Sequence, residues 1–279
     1  MSVHSLGNRP PQKTSRGPSQ VTVRYRSAAR YPGTVLVLTL VAPVFATNCY
    51  VVAPAAKGPC FVVDAGAGVA QDVEDALAEH ELEPVAVLAT HGHVDHTWDA
   101  ARLCERFDVP FRVHAADAYR ISDPFGTLGG GRLVAALEQV GLELGDYREP
   151  ARIEPVETEH RGSARLDLAE LPVTWLHAPG HTEGASLVSV PRAPSSASRL
   201  PLGEGMGREH PSRTVFSGDV LFAGTIGRTD LPGGDHAEMT RSLVEPVGSL
   251  PHDALVLPGH GPATTIELEL RRNPFLSSR

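Results

Sequence analysis

Hydrophobic and polar positions change their period several times along the chain. From Val21 the pattern is that of strands: alternation in VTVRY (21–25), then VLVLTLV (35–41), NCYVV (48–52) and CFVVD (60–64), separated by Pro and Gly. Between Val69 and Leu82 the spacing shifts to three and four residues through Val73, Ala76, Leu77 and His80, among acidic neighbours, which predicts an amphipathic surface helix. The almost wholly apolar PVAVLAT (84–90) suits a strand buried on both faces. Helical spacing then resumes over 96–107 through Trp98, Ala101, Leu103 and Cys104.

The second half repeats this architecture without repeating its text. Strands are predicted near 166–170, 173–178, 185–190, 214–218 and 254–257, and helices near 131–140, 236–249 and 263–271. Two similar halves imply two packed sheets, hence an α/β four-layer αββα sandwich in one domain spanning 21–279. Pro, Gly and Ser supply 11 of the 23 residues in 191–213, which predicts a long surface loop inserted between two strands. Residues 1–20, rich in Ser, Pro and Gly and without an apolar stripe, read as a flexible tail.

Composition narrows the partners. With 41% hydrophobic and 21% charged residues the chain is an ordinary globular one, and its net charge of −8 argues against a nucleic-acid partner, whose grip needs clustered Lys and Arg. Val35 to Ala46, the longest nearly apolar run, is interrupted by Thr39 and Pro43, so no membrane span is expected. Cys49, Cys60 and Cys104 are odd in number and lack CxxC spacing, which points to small buried residues of a cytoplasmic protein.

The chemistry concentrates in THGHVDH, at the end of the 84–90 strand, where His91, His93, Asp95 and His96 lie within six residues. Extended backbone sends residues i and i+2 to one side, so His91 and His93 converge on one ion, while the turn into the following helix carries Asp95 and His96 toward a second. Three further ligand types follow an apolar strand and a glycine: His181 in APGHT, Asp219 in FSGDV and His260 in LPGHG. Glycine permits a sharp turn at the sheet edge and leaves room for the ligand.

The ordered series HxHxDH, PGH, SGD and PGHG resembles the metallo-β-lactamase superfamily over nearly all of 21–275. The resemblance implies that His91, His93 and His181 hold one divalent metal, Asp95, His96 and His260 a second, and that Asp219 bridges both. It also implies that Asp64, in VVDAG, orients ligands. Within the superfamily, GDVLFAGTIGRTDLPGGD (218–235) resembles glyoxalase II (hydroxyacylglutathione hydrolase) and its shorter relatives. The expected function is then hydrolysis of a small acyl thioester at two metal ions, zinc first, iron or manganese otherwise, with Asp95 and Asp219 as catalytic carboxylates and Asp95 able to relay protons.

Only residues 261–279 follow His260, whereas glyoxalase II proper carries a helical C-terminal domain there, so weak selection for glutathione is expected. The GRTD tetrapeptide (227–230) is shared with persulfide dioxygenases, which makes a mononuclear Fe(II) oxygenase using His91, His181 and Asp219 one rival. A lactonase or β-lactamase is another. His114, His160, His177, His210 and His252 fit no repeated spacing and read as ordinary surface or core histidines, while His236 is left open by its closeness to GRTD. Arg228 and Asp230 are expected either to pair and hold that loop near the site or to form a solvated ion pair; Trp98 and Trp175 are expected to pack.

Overall fold

Alternation along each strand sorts the side chains of two sheets into three apolar layers. The computed structural model describes residues 33–128, 139, 144–201, 203 and 211–277. The expected strand 21–25, the tail 1–20 and, but for one residue, the helix 131–140 fall outside them.

The first sheet runs in sequence order through β1 (Leu36–Val41), β2 (Asn48–Ala53), β3 (Gly58–Val63), β4 (Leu82–Leu88) and β5 (Phe111–Arg112). Its first three strands are antiparallel and its last three parallel, a mixed arrangement. Helices α1 (Ala70–Glu79), α2 (Val94–Thr97), α3 (Ala100–Phe107) and α4 (Ala118–Ser122) accompany this half. Leu36, Leu38, Val51, Val62 and Val87 face outward onto Val73 and Leu77 of α1 and Leu103 of α3.

The intervening positions, Val37, Tyr50, Val52, Phe61, Val63 and Leu88, face the second sheet. That sheet is formed by β6 (Ser163–Leu168), β7 (Leu171–His177), β8 (Ser186–Val190), β9 (Thr214–Gly218), β12 (Leu255–Pro258) and β13 (Thr264–Thr265), in the order β13-β12-β9-β8-β7-β6, with the small ribbon β10 (Leu221–Phe222) and β11 (Thr225–Ile226) beside it. Tyr50, Phe61, Trp175 and Phe216 fill the middle layer, none more than 1% exposed. Truncating the Phe or Trp members to Ala would cost about 3 to 5 kcal/mol each. The outer face of the second sheet is covered by Met239 and Leu243 of α5 (His236–Val244), Ile266 of α6 (Ile266–Arg272) and Leu276 of α7 (Pro274–Ser277). The four-layer αββα order is therefore as the sequence predicts.

Three local differences have physical causes. The 166–170 strand stops at Leu168, because Ala169 and Glu170 both take positive φ and make the two-residue turn that matches strand twist. The 96–107 helix is two helices, α2 and α3, separated at Trp98 and Asp99. The 191–213 segment is no simple surface loop where it is described. Val35 pairs with Pro194 and Leu38 with Arg199, and Leu200 is buried in the middle layer, so this stretch covers the free edge of β1. Among the described residues no helix is long and apolar enough to cross a membrane. All three cysteines are free and buried, and burial pushes the Cys60 and Cys104 thiols up to about 12.

Candidate metal centre

Strand ends build the site. Asp64 follows β3, His91 and His93 follow β4, Asp219 follows β9 and His260 follows β12, all at carboxyl ends of strands with parallel neighbours, the edge where α/β sheets place their ligands. His181 joins them from the β7–β8 turn, and Asp95 and His96 from the first turn of α2. The seven sequence-predicted residues converge as three overlapping groups: His91, His93 and His181; His91, His96 and Asp219; and Asp95, His96 and His260, with the ligand atoms of each group within 4.8 Å of one another.

The first corner is made of nitrogen alone. His91 Nε2 lies 3.1 Å from His93 Nδ1, which lies 2.9 Å from His181 Nε2, which closes the triangle at 3.2 Å. Outer hydrogen bonds fix which nitrogens point inward. Thr90 Oγ1 donates to Asp64 Oδ2 at 2.9 Å and so accepts from His91 Nδ1 at 3.2 Å. His181 Nδ1 donates to the carbonyl of Arg228 at 2.8 Å, which gives the GRTD loop a defined task. Two bare Nε2 lone pairs therefore face a third ring nitrogen, His93 Nδ1, whose single hydrogen cannot serve both. The rings are 1 to 4% exposed, so water does not relieve them. Burial, followed by the neighbouring histidines, holds His91 well below the ordinary imidazole range, and burial and His181 hold His93 down to about 3. Neutral, converging imidazoles are the donor set a divalent transition metal takes.

The second corner mixes nitrogen and carboxylate. His260 Nε2 lies 3.3 Å from Asp95 Oδ2, and His96 Nε2 lies 3.6 Å from the same oxygen. Asp219 stands between the corners, 3.4 Å from His96, 3.7 Å from His260 and 3.6 Å from His181 of the first corner. Burial pushes the Asp95 carboxyl up, yet His96 and the hydrogen bond with His260 outweigh it and hold the group below the usual carboxylate range. Asp219 is likewise held down against burial, chiefly by His96. Reciprocally, Asp95 and Asp219 raise His96 against its burial, and the bond to Asp95 with the Asp219 charge raises His260.

Several residues that hold the ligands are not ligands themselves. Asn48 Nδ2 donates to the carbonyls of Pro258 (3.0 Å) and Gly261 (2.9 Å), and the Tyr50 hydroxyl donates to Pro258 (2.6 Å), so the first sheet clamps the loop carrying His260. Gly259 lies so near that an added side-chain carbon would sit 2.6 Å from His96 Cε1 and collide with Asp219. Asp64 takes φ 57°, a conformation costly for a non-glycine residue, and also accepts from the Thr90 amide at 2.7 Å while Oδ2 stands 3.1 Å from His96 Nδ1. Nothing in an isolated Asn, Tyr or Thr announces such a role.

The residues set aside behave as structural groups. His114 and His177 stack with centroids 4.0 Å apart, His160 pairs with Glu238, and Arg228 with Asp230 forms a largely exposed bidentate ion pair. Trp175 packs in the middle layer and Trp98 against Phe125 and Tyr147. His210 lies outside the described residues.

Comparison with known proteins agrees with this geometry. Residues 42–194 match the Metallo-beta-lactamase superfamily. The chain is 36% identical to an uncharacterized protein of Mycobacterium tuberculosis over 87% of its own length and 98% of that protein's. It is 30% identical to the hydroxyacylglutathione hydrolase GloC of Haemophilus influenzae over 84% and 95% of the two chains. Among solved structures, TTHA1623 in a di-iron-bound form superposes with a TM-score of 0.64 at 31% identity, covering 86% of this chain and 100% of that one. Fold, convergent ligand types and sequence lead to one assignment: the chain belongs to the metallo-β-lactamase superfamily and is built as a metal-dependent hydrolase.

Proposed function

We propose that the protein hydrolyses a small acyl thioester at two metal ions, in the manner of a hydroxyacylglutathione hydrolase. The observation that carries the dinuclear reading is the meeting of seven ligand-type side chains in two corners that share Asp219. His91, His93 and His181 would hold one ion, Asp95, His96 and His260 the other, and Asp219 would bridge them. Zinc is the ion proposed, with iron and manganese as alternatives open to the same donors. Support for the thioester comes from the 30% identity to the Haemophilus influenzae hydrolase.

Ions so held would activate water as the nucleophile at neutral pH and polarise a substrate carbonyl. The chain's own residues supply the rest. Asp95, whose carboxylate lies 3.3 Å from His260 Nε2 and 3.6 Å from His96 Nε2, is the acidic side chain placed to relay a proton beside the centre. The thiolate that leaves has a conjugate pKa of only about 8.5, so a thioester asks for little protonation of its leaving group. The buried rings of the first corner keep water away from one side of the centre.

Elemental analysis combined with a panel of a lactoyl-glutathione thioester, a lactone, a β-lactam and a persulfide tests the proposal. Two metals per chain and thioester cleavage above the other activities are expected. A plateau at one iron, with oxygen uptake on the persulfide and no thioester cleavage, would replace it with the dioxygenase reading.

A further inference from the structure

Asp117 lies at the entry to α4, in a stretch with no motif, and is fully buried. Its two oxygens accept four hydrogen bonds. Oδ2 takes the backbone N–H of Gly92 at 2.8 Å and the hydroxyl of Thr182 at 2.7 Å. Oδ1 takes the backbone N–H of Gly184 at 2.7 Å and Nε of Arg120 at 3.1 Å. Gly92 stands between His91 and His93, and Thr182 follows His181. One carboxylate thus joins the two turns that present the three rings of the nitrogen-only corner.

The fit is tight. A side-chain carbon on Gly184 would lie 2.7 Å from the Asp117 Cβ, and one on Gly92 would lie 2.8 Å from the Arg120 Cβ and 2.9 Å from the Asp117 carbonyl oxygen. Arg120, itself buried, extends the clamp to Glu183 and, at 2.9 Å, to the carbonyl of Pro232. The second corner hangs on other supports, with Asp64 beside His96 and with Asn48 and Tyr50 behind His260.

We infer that Asp117 is the positioning residue of the first corner: by tying the 91–93 turn to the 181–184 turn it sets the spacing of His91, His93 and His181, and with it that corner's affinity for a divalent metal. The inference rests on the metal reading proposed above. Its physical basis is that no neutral side chain can replace the carboxylate. In Asp117→Asn one end becomes an NH2 and meets a donor, either Gly92 N–H or the Gly184 N–H and Arg120 pair, so one of the two turns is released.

Cobalt(II) titration followed by visible absorption tests it, on the full chain and on His260→Gln, which isolates the first corner. Wild type is expected to bind two equivalents. Asp117→Asn should weaken the first corner by about 10- to 100-fold, the span of ligand-supporting losses, and leave the second within about threefold. Thr182→Val removes a single donor at similar volume and should weaken the first corner several-fold, and Thr182→Ser should restore it. That pair decides the question if Asp117→Asn does not fold. Unchanged affinity of the first corner in Asp117→Asn and Thr182→Val, with two equivalents in wild type, would overturn the role of Asp117 alone. Equal weakening of both corners would reduce Asp117 to a general support of the fold and equally overturn it. A wild-type chain that binds no cobalt would instead sink the metal reading and this inference with it.

Discussion

The two corners of the centre solve opposite electrostatic problems. The first gathers three buried imidazoles with ring nitrogens aimed at one another, and burial with the neighbouring rings disfavours protonation of His91 and His93. The second gathers carboxylates with histidines whose protons those carboxylates stabilise, and its outer members Asp95 and His260 have side chains 23% and 30% exposed. Left to itself, the second corner sets carboxylates beside its histidines, although His96 Nδ1 and Nε2 and Asp219 Oδ1 are buried without a hydrogen-bond partner, whereas the first turns its ring nitrogens on one another. A cation entering the first corner therefore relieves an existing conflict, whereas one entering the second must displace protons.

Asp219 is where the comparison breaks most severely, since its carboxylate borders both corners. Asp219→Ala is expected to lower metal content at both and to cut thioester turnover by at least about 100-fold, the upper end of what losing a mere supporting group costs. Near-normal turnover with two metals bound would refute the shared-ligand assignment. The next largest effect is one of pH. His96 and His260 are raised above the ordinary imidazole value and must shed protons to bind metal, so the second equivalent should weaken by at least about tenfold between pH 8 and 6. His91 and His93 are lowered and carry no proton to lose in that window, so the first equivalent should move by less than about threefold. Competition titrations at several pH values measure both, and parallel slopes would erase the distinction between the corners.

What the sequence made legible follows the same division between ligands and their supports. The ligand types themselves were readable, because His91, His93, Asp95 and His96 crowd one turn and His181, Asp219 and His260 each follow a strand and a glycine. Asp64 was readable only through a resemblance, and its contacts with Thr90 and beside His96 agree with an orienting role. Asn48, Thr90 and Asp117 were not legible, since the hydrogen bonds by which they tie the site together reach across gaps of 25 to 213 residues and leave no local period. The layers were legible because β1 to β4 are short, largely apolar runs punctuated by Pro and Gly, buried on both faces for most of their length, and β7 alternates strictly. The turn at Ala169 and Glu170 was missed because it uses no glycine, and the two-residue strand β5 because it is too short to show a period.

Thr90 sharpens the comparison from the first corner's side. Thr90→Val removes the hydroxyl that accepts from His91 Nδ1 and donates to Asp64, so the tautomer that presents Nε2 inward loses its partner. About tenfold weaker binding at the first corner is expected. Some effect should also reach His96, which stands beside the Asp64 oxygen that the hydroxyl would leave. Titration of Thr90→Val in the His260→Gln background reads the first corner directly, and wild-type affinity there would show that the Thr90 contact orients nothing.

The smallest effect tests whether both corners are independent of the edge of the first sheet. Ser198 is 1% exposed, and its Oγ accepts from the Val37 amide at 3.0 Å and donates to the Val35 carbonyl at 3.3 Å, on the edge that β1 would otherwise leave open. The neighbouring backbone continues the pairing, since Arg199 N–H donates to the Val37 carbonyl at 2.9 Å and Thr39 N–H to the Arg199 carbonyl at 3.0 Å. Ser198→Ala leaves the buried Val37 N–H without an acceptor while the flanking bonds survive, a loss of about 1 to 3 kcal/mol of stability. None of these groups touches a ligand of either corner, and the Pro194 to Leu200 stretch meets the first sheet by edge pairing with β1 and by the side chain of Leu200 in the middle layer. Unfolding in urea should therefore shift while metal stoichiometry and both affinities hold. If Ser198→Ala lost metal from either corner in proportion to its stability, the ligand geometry would have to depend on the packing of the two sheets as a whole, and the separate supports of the two corners would count for less than their hydrogen bonds suggest.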